Sequence, residues 1–419
     1  MSLWHIAWSY LWNRKLTTSL TILSVALGVG LIYSVLTLRE ETRKRFEDEG
    51  QSFDVVVGAK GSPLQLVLSA LYFMDVPTGN IKLSDYEAIK RHEDVAAAFP
   101  VLLGDTFHGY RIVGTVPELF DYKWTSASTG ETRKPFRLAQ GRIFEKSMEA
   151  VLGSGVARTE GLKLGDTFIG AHGFTQLPEG LQELHRENPY TVVGIMAPSG
   201  TPNDRAVFAR MDSVWEVHGH HGQEKSPAEG ETSKDASKEI TAVLVSLDSP
   251  ALRFQFVESA NDTYNAMATI PINQIANLYM NVLGTVKSVL LAVGYLVVTI
   301  SAISILIGLY LSILQRKRDL AIMRALGASA YEIVGSVLIE AFLVTVLGIL
   351  VGWLIGNLVA WAVGLYLQYR YGLSIGIFGM LTAEEIAAFS TVGLVGIVAG
   401  IVPAWQAYRT DVARDLAEP

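Results

Sequence analysis

The chain has 419 residues, 50% of them hydrophobic and only 18% charged, with a formal net charge of −7 and no cysteine. At a mean hydropathy of +0.30 this excludes an ordinary soluble enzyme and points to a membrane protein. The lack of cysteine excludes a disulfide framework, thiol nucleophiles and thiolate metal sites, and the acidic balance argues against nucleic acid as a partner.

Residues 1–16 carry Trp4, Trp8 and Trp12 at successive i, i+4 positions, followed by Arg14 and Lys15. They fit an amphipathic helix lying in the headgroup region, or a tryptophan stripe packed on neighbouring membrane helices. Residues 17–38 form the first uncharged run. It is longer than the roughly 7–15 residues of a signal-peptide core, so an uncleaved spanning helix is expected.

Residues 39–284 are of ordinary soluble composition, with β-rich runs at Phe53–Val57, Tyr110–Val116, Tyr190–Met196 and Ile240–Leu247. A mixed α/β domain inserted between the first two spanning helices is expected, large enough to bury its own core. Gly58-Ala59-Lys60-Gly61-Ser62 lacks the spacing of a phosphate loop and reads as a turn. Residues 215–239 are poor in apolar side chains and read as a mobile loop containing His218, His220 and His221. Imidazoles so close in sequence can capture Zn²⁺, Ni²⁺ or Cu²⁺; the alternative is a solvated loop without function.

The second spanning run, 285–314, holds 27 uncharged residues from Ser288 to Leu314, about 40 Å of helix, so it can extend beyond the membrane as a stalk. Residues 315–330 form a basic hinge, QRKRDLAIMRALGAS from Gln315 to Ser329, expected to contain a short helix from Lys317 to Leu326, to end at Gly327 and to stay on the cytoplasmic side. Ser329 and Glu332 have the spacing of a capping box that starts the third spanning helix, residues 331–368. In that helix Glu340 is either paired with a hinge arginine such as Arg324 or bathed by water at the interface. Gly348, Gly352 and Gly356 form a doubled G-x-x-x-G, repeated by Gly396 and Gly400 in the fourth spanning helix, 385–408, and such spacing lets helix backbones approach closely. Residues 369–384 form a short outer loop and 409–419 a cytoplasmic tail. Pro403 should kink the last helix or end its regular part.

These residues resemble the permease subunits of ATP-binding-cassette systems of the MacB, FtsX and LolC/LolE type. The resemblance rests on the hinge, on Glu340 in LIEAFL, on Pro403-Ala404 in IVPAWQAYRTD, on LAQGRIFEKSMEAVLGSGVARTEGLKLGDTF and on YTVVGIM. It implies a membrane α-helical protein with four spanning helices and a large α/β domain between helices 1 and 2. It also implies a bacterial inner-membrane location, with the large domain periplasmic and both termini cytoplasmic. The hinge then becomes the ATPase-coupling segment. Arg316, Arg318 and Arg324 set its orientation, Leu320, Met323 and Leu326 serve as apolar anchors, and Asp319 and Gly327 complete it.

The implied protein is non-catalytic: ATP and Mg²⁺ belong to a separate ATPase subunit, with Zn²⁺ at the histidines the one candidate ligand of the chain itself. It acts by mechanotransmission, to export or release a substrate at the inner membrane. Further implied partners are a second permease copy or paralogue, a periplasmic adaptor or substrate-carrying protein, and the bilayer. The alternatives are an FtsX-like signalling scaffold that controls a periplasmic hydrolase, or a zinc homeostasis system using the histidine loop. The tail departs from the pattern, reading TDVARDLAEP where the family commonly has a proline after the aspartate.

Overall fold

The computed structural model describes residues 3–125, 130, 132–174, 183–219, 238–278, 280, 284–371 and 381–408. In chain order the elements begin with α1 (Leu3–Asn13), α2 (Lys15–Gly50), β1 (Val55–Gly58), α3 (Pro63–Ala70), β2 (Ile81–Lys82), α4 (Leu83–Lys90), β3 (Val95–Phe107) and β4 (Tyr110–Thr115). Next come β5 (Trp124–Thr125), β6 (Thr132–Arg133), β7 (Leu138–Gly141), β8 (Glu149–Leu152), α5 (Ser154–Glu160), β9 (Thr167–Phe168), β10 (Ala171–His172) and β11 (Tyr190–Met196). Then follow β12 (Ala206–Arg210), α6 (Met211–Gly219), β13 (Glu239–Ile240), β14 (Ala242–Leu247), α7 (Arg253–Thr263), β15 (Met267–Thr269) and α8 (Pro271–Leu278). The chain closes with α9 (Gly284–Gln315), α10 (Lys317–Ala325), α11 (Ala330–Tyr371) and α12 (Ala383–Tyr408).

Two compact units result: Met1–Thr42 with Val282–Gly364 and Ile375–Pro419, and Arg43–Asn281 with Leu365–Ser374. Four helices among the described residues are long and apolar enough to cross a membrane: Lys15–Glu41, Thr285–Gln315, Ala330–Tyr369 and Ala383–Tyr408. They are amphipathic in a membrane sense. Val25, Val29, Ile305, Leu309, Ala341, Val344, Val392 and Ala399 face each other in a buried cluster, while Leu20, Leu27, Ile300, Ile307, Leu354, Leu358, Leu394 and Ile401 are exposed, as lipid-facing side chains are. On α1, Trp4, Trp8 and Trp12 are also exposed; Trp8 stacks on Trp12 and Trp4 packs edge-on against Phe342.

The glycine pattern sets the helix contacts. A Cβ on Gly348, Gly352 or Gly356 would lie 2.6–2.7 Å from atoms of Val25, Ala26, Val29 or Tyr33, so α11 lays its stripped face directly on α2. A Cβ on Gly400 would lie 2.7 Å from Ala341 Cβ, and one on Gly396 would strike Thr345, so the α12 pair packs just as closely on α11. Pro403 lies inside α12, which stays helical to Tyr408.

The second unit is built on an eleven-stranded mixed sheet, order β15-β1-β14-β3-β4-β12-β8-β11-β7, with β10 added to β3 and β9 to β11. Alternation of side chains along each strand gives the sheet two apolar faces. Val56, Phe99, Val101, Leu103 and Phe208 enter one core cluster. From the other face, Val55, Val57 and Ala98 meet the α4 and α7 side, and Leu102, Ile112, Val207 and Ala209 meet Val156 of α5 and Val214 of α6. β4 with β12 and β8 with β11 are parallel, the remaining pairs antiparallel. The Gly58–Ser62 segment is a turn out of β1, and Ser62 caps α3 by accepting from Gln65 N at 3.4 Å.

Candidate functional site

The hinge is built from the residues its sequence specified. Gly327 takes φ +104°, which a side chain disfavours, and Ala328 N–H donates to Met323 C=O at 3.0 Å, so α10 is closed by a glycine turn. Ser329 N–H donates to Glu332 Oε2 at 2.7 Å and Glu332 N–H to Ser329 Oγ at 3.3 Å, the reciprocal capping box that opens α11.

One face of α10 is anchored. Leu320 is 1% exposed, and with Ala321 it is buried; Leu320 joins Ile313 of α9, Ile333 and Val337 of α11 and Ala404 and Ala407 of α12. Lys317, Arg318, Asp319, Gly327 and, at 43% and 84% exposure, Ile322 and Leu326 point outward, while Met323 and Arg324 are half-buried. This corrects two expectations. Leu320 is covered by Ile313, Ile333, Val337, Ala404 and Ala407, and Arg316 is buried too, so neither is on the open face. Ile322, which sequence reasoning missed, is exposed one turn before Leu326.

Glu340 does pair with a hinge arginine, but with Arg316 rather than Arg324, and it is buried rather than bathed by water. Arg316 Nη2 donates to Glu340 Oε2 at 2.5 Å, and both residues are buried. The guanidinium lies 4.2 Å from the Tyr10 ring, and Arg14 beside it donates to Ser312 C=O at 3.5 Å and to Gln315 Oε1. The burial of an ion pair at this depth follows the rule that an intramembrane carboxylate takes a basic partner.

In the sheet unit, Trp215–His218 belong to α6 rather than to a loop. Val214 and Val217 are buried at helical spacing, and Trp215 Nε1 donates to Glu239 C=O at 2.9 Å. His220 and His221 lie outside the described residues. His218 is brought to Asp105, His172 and His185, none of which the sequence singled out. His172 is directly opposite Asp105 in the β10–β3 register. The β3–β4 pairing skips one residue between Leu103↔Val113 and Asp105↔Ile112, so Gly104 is a bulge. The bulge resets the alternation: Asp105 falls in phase with Phe107 and turns to the α6 side. Two glycines let α6 settle there. A Cβ on Gly104 would lie 2.8 Å from His218 Nε2, and one on Gly114 would lie 2.9 Å from Val214 Cγ2.

Asp105 Oδ1 stands 3.6 Å from His172 Nδ1, 3.2 Å from His185 Nε2 and 3.3 Å from His218 Nε2. Nearby, burial pushes the Tyr190 hydroxyl up, the charges of Asp105 and Glu216 adding to it. Elsewhere in the sheet unit, a basic cleft of about 650 Å³ is lined by Lys123, Arg133, Lys134 and Arg137.

A family model described as the MacB-like periplasmic core domain matches residues 18–262, and one described as the FtsX-like permease C-terminal matches residues 291–412. The macrolide export ATP-binding/permease protein MacB of Nitrosomonas europaea is 26% identical over 427 residues, covering 97% of this chain and 57% of that protein. The pyoverdine export ATP-binding/permease protein PvdT of Pseudomonas fluorescens is 22% identical, with 97% and 57% covered. The chain therefore spans 57% of the length of these relatives. Among solved structures, the periplasmic region of MacB from Actinobacillus actinomycetemcomitans is 13% identical with a TM-score of 0.32, over 56% of this chain and 95% of that one. The extracellular domain of the transporter YknZ from Gram-positive bacteria is 12% identical with a TM-score of 0.30, over 51% and 98%.

Proposed function

Because the chain belongs to the family defined by the MacB-like periplasmic core domain and the FtsX-like permease C-terminal region, we propose that it is the membrane permease component of an ATP-binding-cassette exporter. In this reading it sits in a bacterial inner membrane with α10 and both termini in the cytoplasm. An ATP-binding partner subunit, which holds ATP and Mg²⁺, docks on α10, and its movements pass through the spanning helices to the sheet domain, where substrate is exported or released. The chain works as a pair, with a second copy or a paralogue, and hands substrate to a periplasmic adaptor or carrier.

The observation that carries this reading is the two-sided hinge helix. Leu320 fixes α10 to three spanning helices, while Lys317, Arg318, Ile322 and Leu326 remain outward. A partner that grips the open face therefore moves α9, α11 and α12 together. Apolar side chains rimmed by fixed positive charge suit a groove with an acidic rim. The basic residues also satisfy the retention of Lys and Arg on the cytoplasmic side.

The test is co-purification of the full chain with its ATP-binding partner, followed by ATPase assays of the complex. Leu326→Glu and Ile322→Glu should each weaken association at least tenfold while leaving the unfolding transition of the permease within about 0.5 kcal/mol, as surface substitutions do. Unchanged association and ATPase coupling in both variants would remove α10 as the docking site.

A further inference from the structure

We infer that Asp105, His172 and His218 form a binding site for a borderline divalent transition metal, with Zn²⁺ the best fit, in which His185 holds the Asp105 carboxylate in place. The inference stands on the sheet unit alone and is independent of how α10 is used.

The first argument is spacing. Zinc takes nitrogen and oxygen ligands at about 2.0–2.1 Å in a tetrahedron, which sets the ligand atoms roughly 3.3–3.4 Å from one another. Asp105 Oδ1 lies 3.3 Å from His218 Nε2 and 3.6 Å from His172 Nδ1, and the three ligand atoms are all within 4.8 Å of one another. Both edges from Asp105 match those of a coordination shell to within a few tenths of an ångström.

The second argument is charge. The Asp105 side chain is 0% exposed, and its ionic contacts among the described residues are to imidazoles, with no lysine or arginine. Its Oδ2 is buried without a hydrogen-bond partner, and so is His218 Nε2. Three imidazole nitrogens crowd one carboxylate oxygen while the other has none, a poor arrangement for hydrogen bonding alone. A buried carboxylate lacking full compensation is costly, and a divalent cation supplies that compensation.

The third argument is construction. The ligands come from three segments, and each is placed by a distinct device. The Gly104 bulge turns Asp105, the β10–β3 register sets His172 opposite it, and the missing Cβ at Gly104 leaves room for the His218 ring. His185 Nε2–H donates to Asp105 Oδ1 over 3.2 Å, and the backbone N–H of His185 donates to Gly170 C=O at 3.0 Å, so His185 is the kind of outer partner that orients a ligating carboxylate. Two imidazoles and a carboxylate select Zn²⁺ and its neighbours over Mg²⁺ or Ca²⁺, and the lack of thiolate excludes a soft-metal site. Three protein ligands leave a fourth position open, and the His172 side chain is 53% exposed, so solvent reaches the site.

The full chain, purified in detergent and stripped with a chelator, is titrated with Co²⁺ by visible absorption and with Zn²⁺ against a chromophoric chelator. About one equivalent should bind, with the intense d–d bands of tetrahedral Co²⁺. His172→Ala and His218→Ala should each weaken binding by about 100-fold or more, and His185→Ala by about 10- to 100-fold. Gly104→Ala should weaken it by crowding His218. The His220→Ala/His221→Ala double variant should bind like the parent. His172 is half-exposed, so its variant is expected to keep the parent's circular dichroism. Parental affinity in that folded variant would overturn the site, as would loss of binding in the His220/His221 double variant, which would move the metal to the adjoining segment.

Discussion

Arg316 and Glu340 are joined at 2.5 Å with both side chains buried, one at the start of the hinge helix and the other about three turns into the third spanning helix. The pair ties α10 to α11 at a depth where neither charge tolerates isolation. Arg316 Nε has no hydrogen-bond partner, so the arginine depends on Glu340 and on the Tyr10 ring for compensation. Glu340→Ala should cost about 3–5 kcal/mol, the penalty of leaving a buried charge unpaired. Replacing both residues together, with Arg316→Met and Glu340→Leu, should cost much less, because no charge is then stranded. Unfolding in mixed micelles measures both; equal losses for the single and double variants would show that the pairing is not what the site needs.

The glycine stripes give a second prediction. Gly352→Ala would set a methyl 2.7 Å from Ala26 C=O and from Val29 Cβ, backbone and branch-point atoms that cannot swing aside. Separation of α2 and α11 should cost about 1–3 kcal/mol. Gly393→Ala on α12 is the control: nothing lies within 4 Å of its added Cβ, and helix propensity makes it neutral to about 1 kcal/mol more stable. The same unfolding assay compares them, and equal behaviour of the two variants would refute close helix packing at Gly352.

Much of the architecture was legible because membrane helices announce themselves by uncharged length, and because caps are local. Gly327, Ser329 and Glu332 act within a few residues of each other, and they do what their spacing implies. β11 spans Tyr190–Met196, a run that alternates buried and half-buried side chains. The longest strand among the described residues, β3, is not apparent in the sequence: it contains Ala96, Ala97, Ala98 and Pro100, weak strand formers that succeed only because β14 and β4 pair on either side.

The histidine cluster was illegible for a different reason. Asp105, His172, His185 and His218 are spread over more than a hundred residues, and their meeting depends on a bulge and a cross-strand register that no local pattern encodes. The nearest signal was Gly104 beside Asp105 in an apolar stretch, since a strand glycine marks a bulge or a close approach. The choice between Arg316 and Arg324 for Glu340 was equally open, because both lie in one basic segment and only the packing of α10 decides which turns inward.

The last prediction concerns the turn between β7 and β8. Gly141, at φ +77°, starts it, and a Cβ there would strike Val193 C=O. Arg142 then donates two hydrogen bonds to Glu149, at 2.8 and 2.5 Å, and the same carboxylate accepts from Glu145 N–H at 2.8 Å and Lys146 N–H at 3.1 Å. The Arg142 bonds, then the backbone donors, hold the Glu149 carboxyl down to about 2, well below its ordinary 4.5. A depressed folded-state value means the ionised form is favoured in the folded chain, so the contribution to stability is complete above about pH 4.5 and lost as pH falls toward 2. The melting temperature of the full chain should therefore decline through that window. Glu149→Gln should lower it at pH 7 and flatten the decline, so that variant and parent converge near pH 2. A parent curve that runs parallel to the variant's from pH 7 to 2 would show that the pair contributes no pH-linked stability.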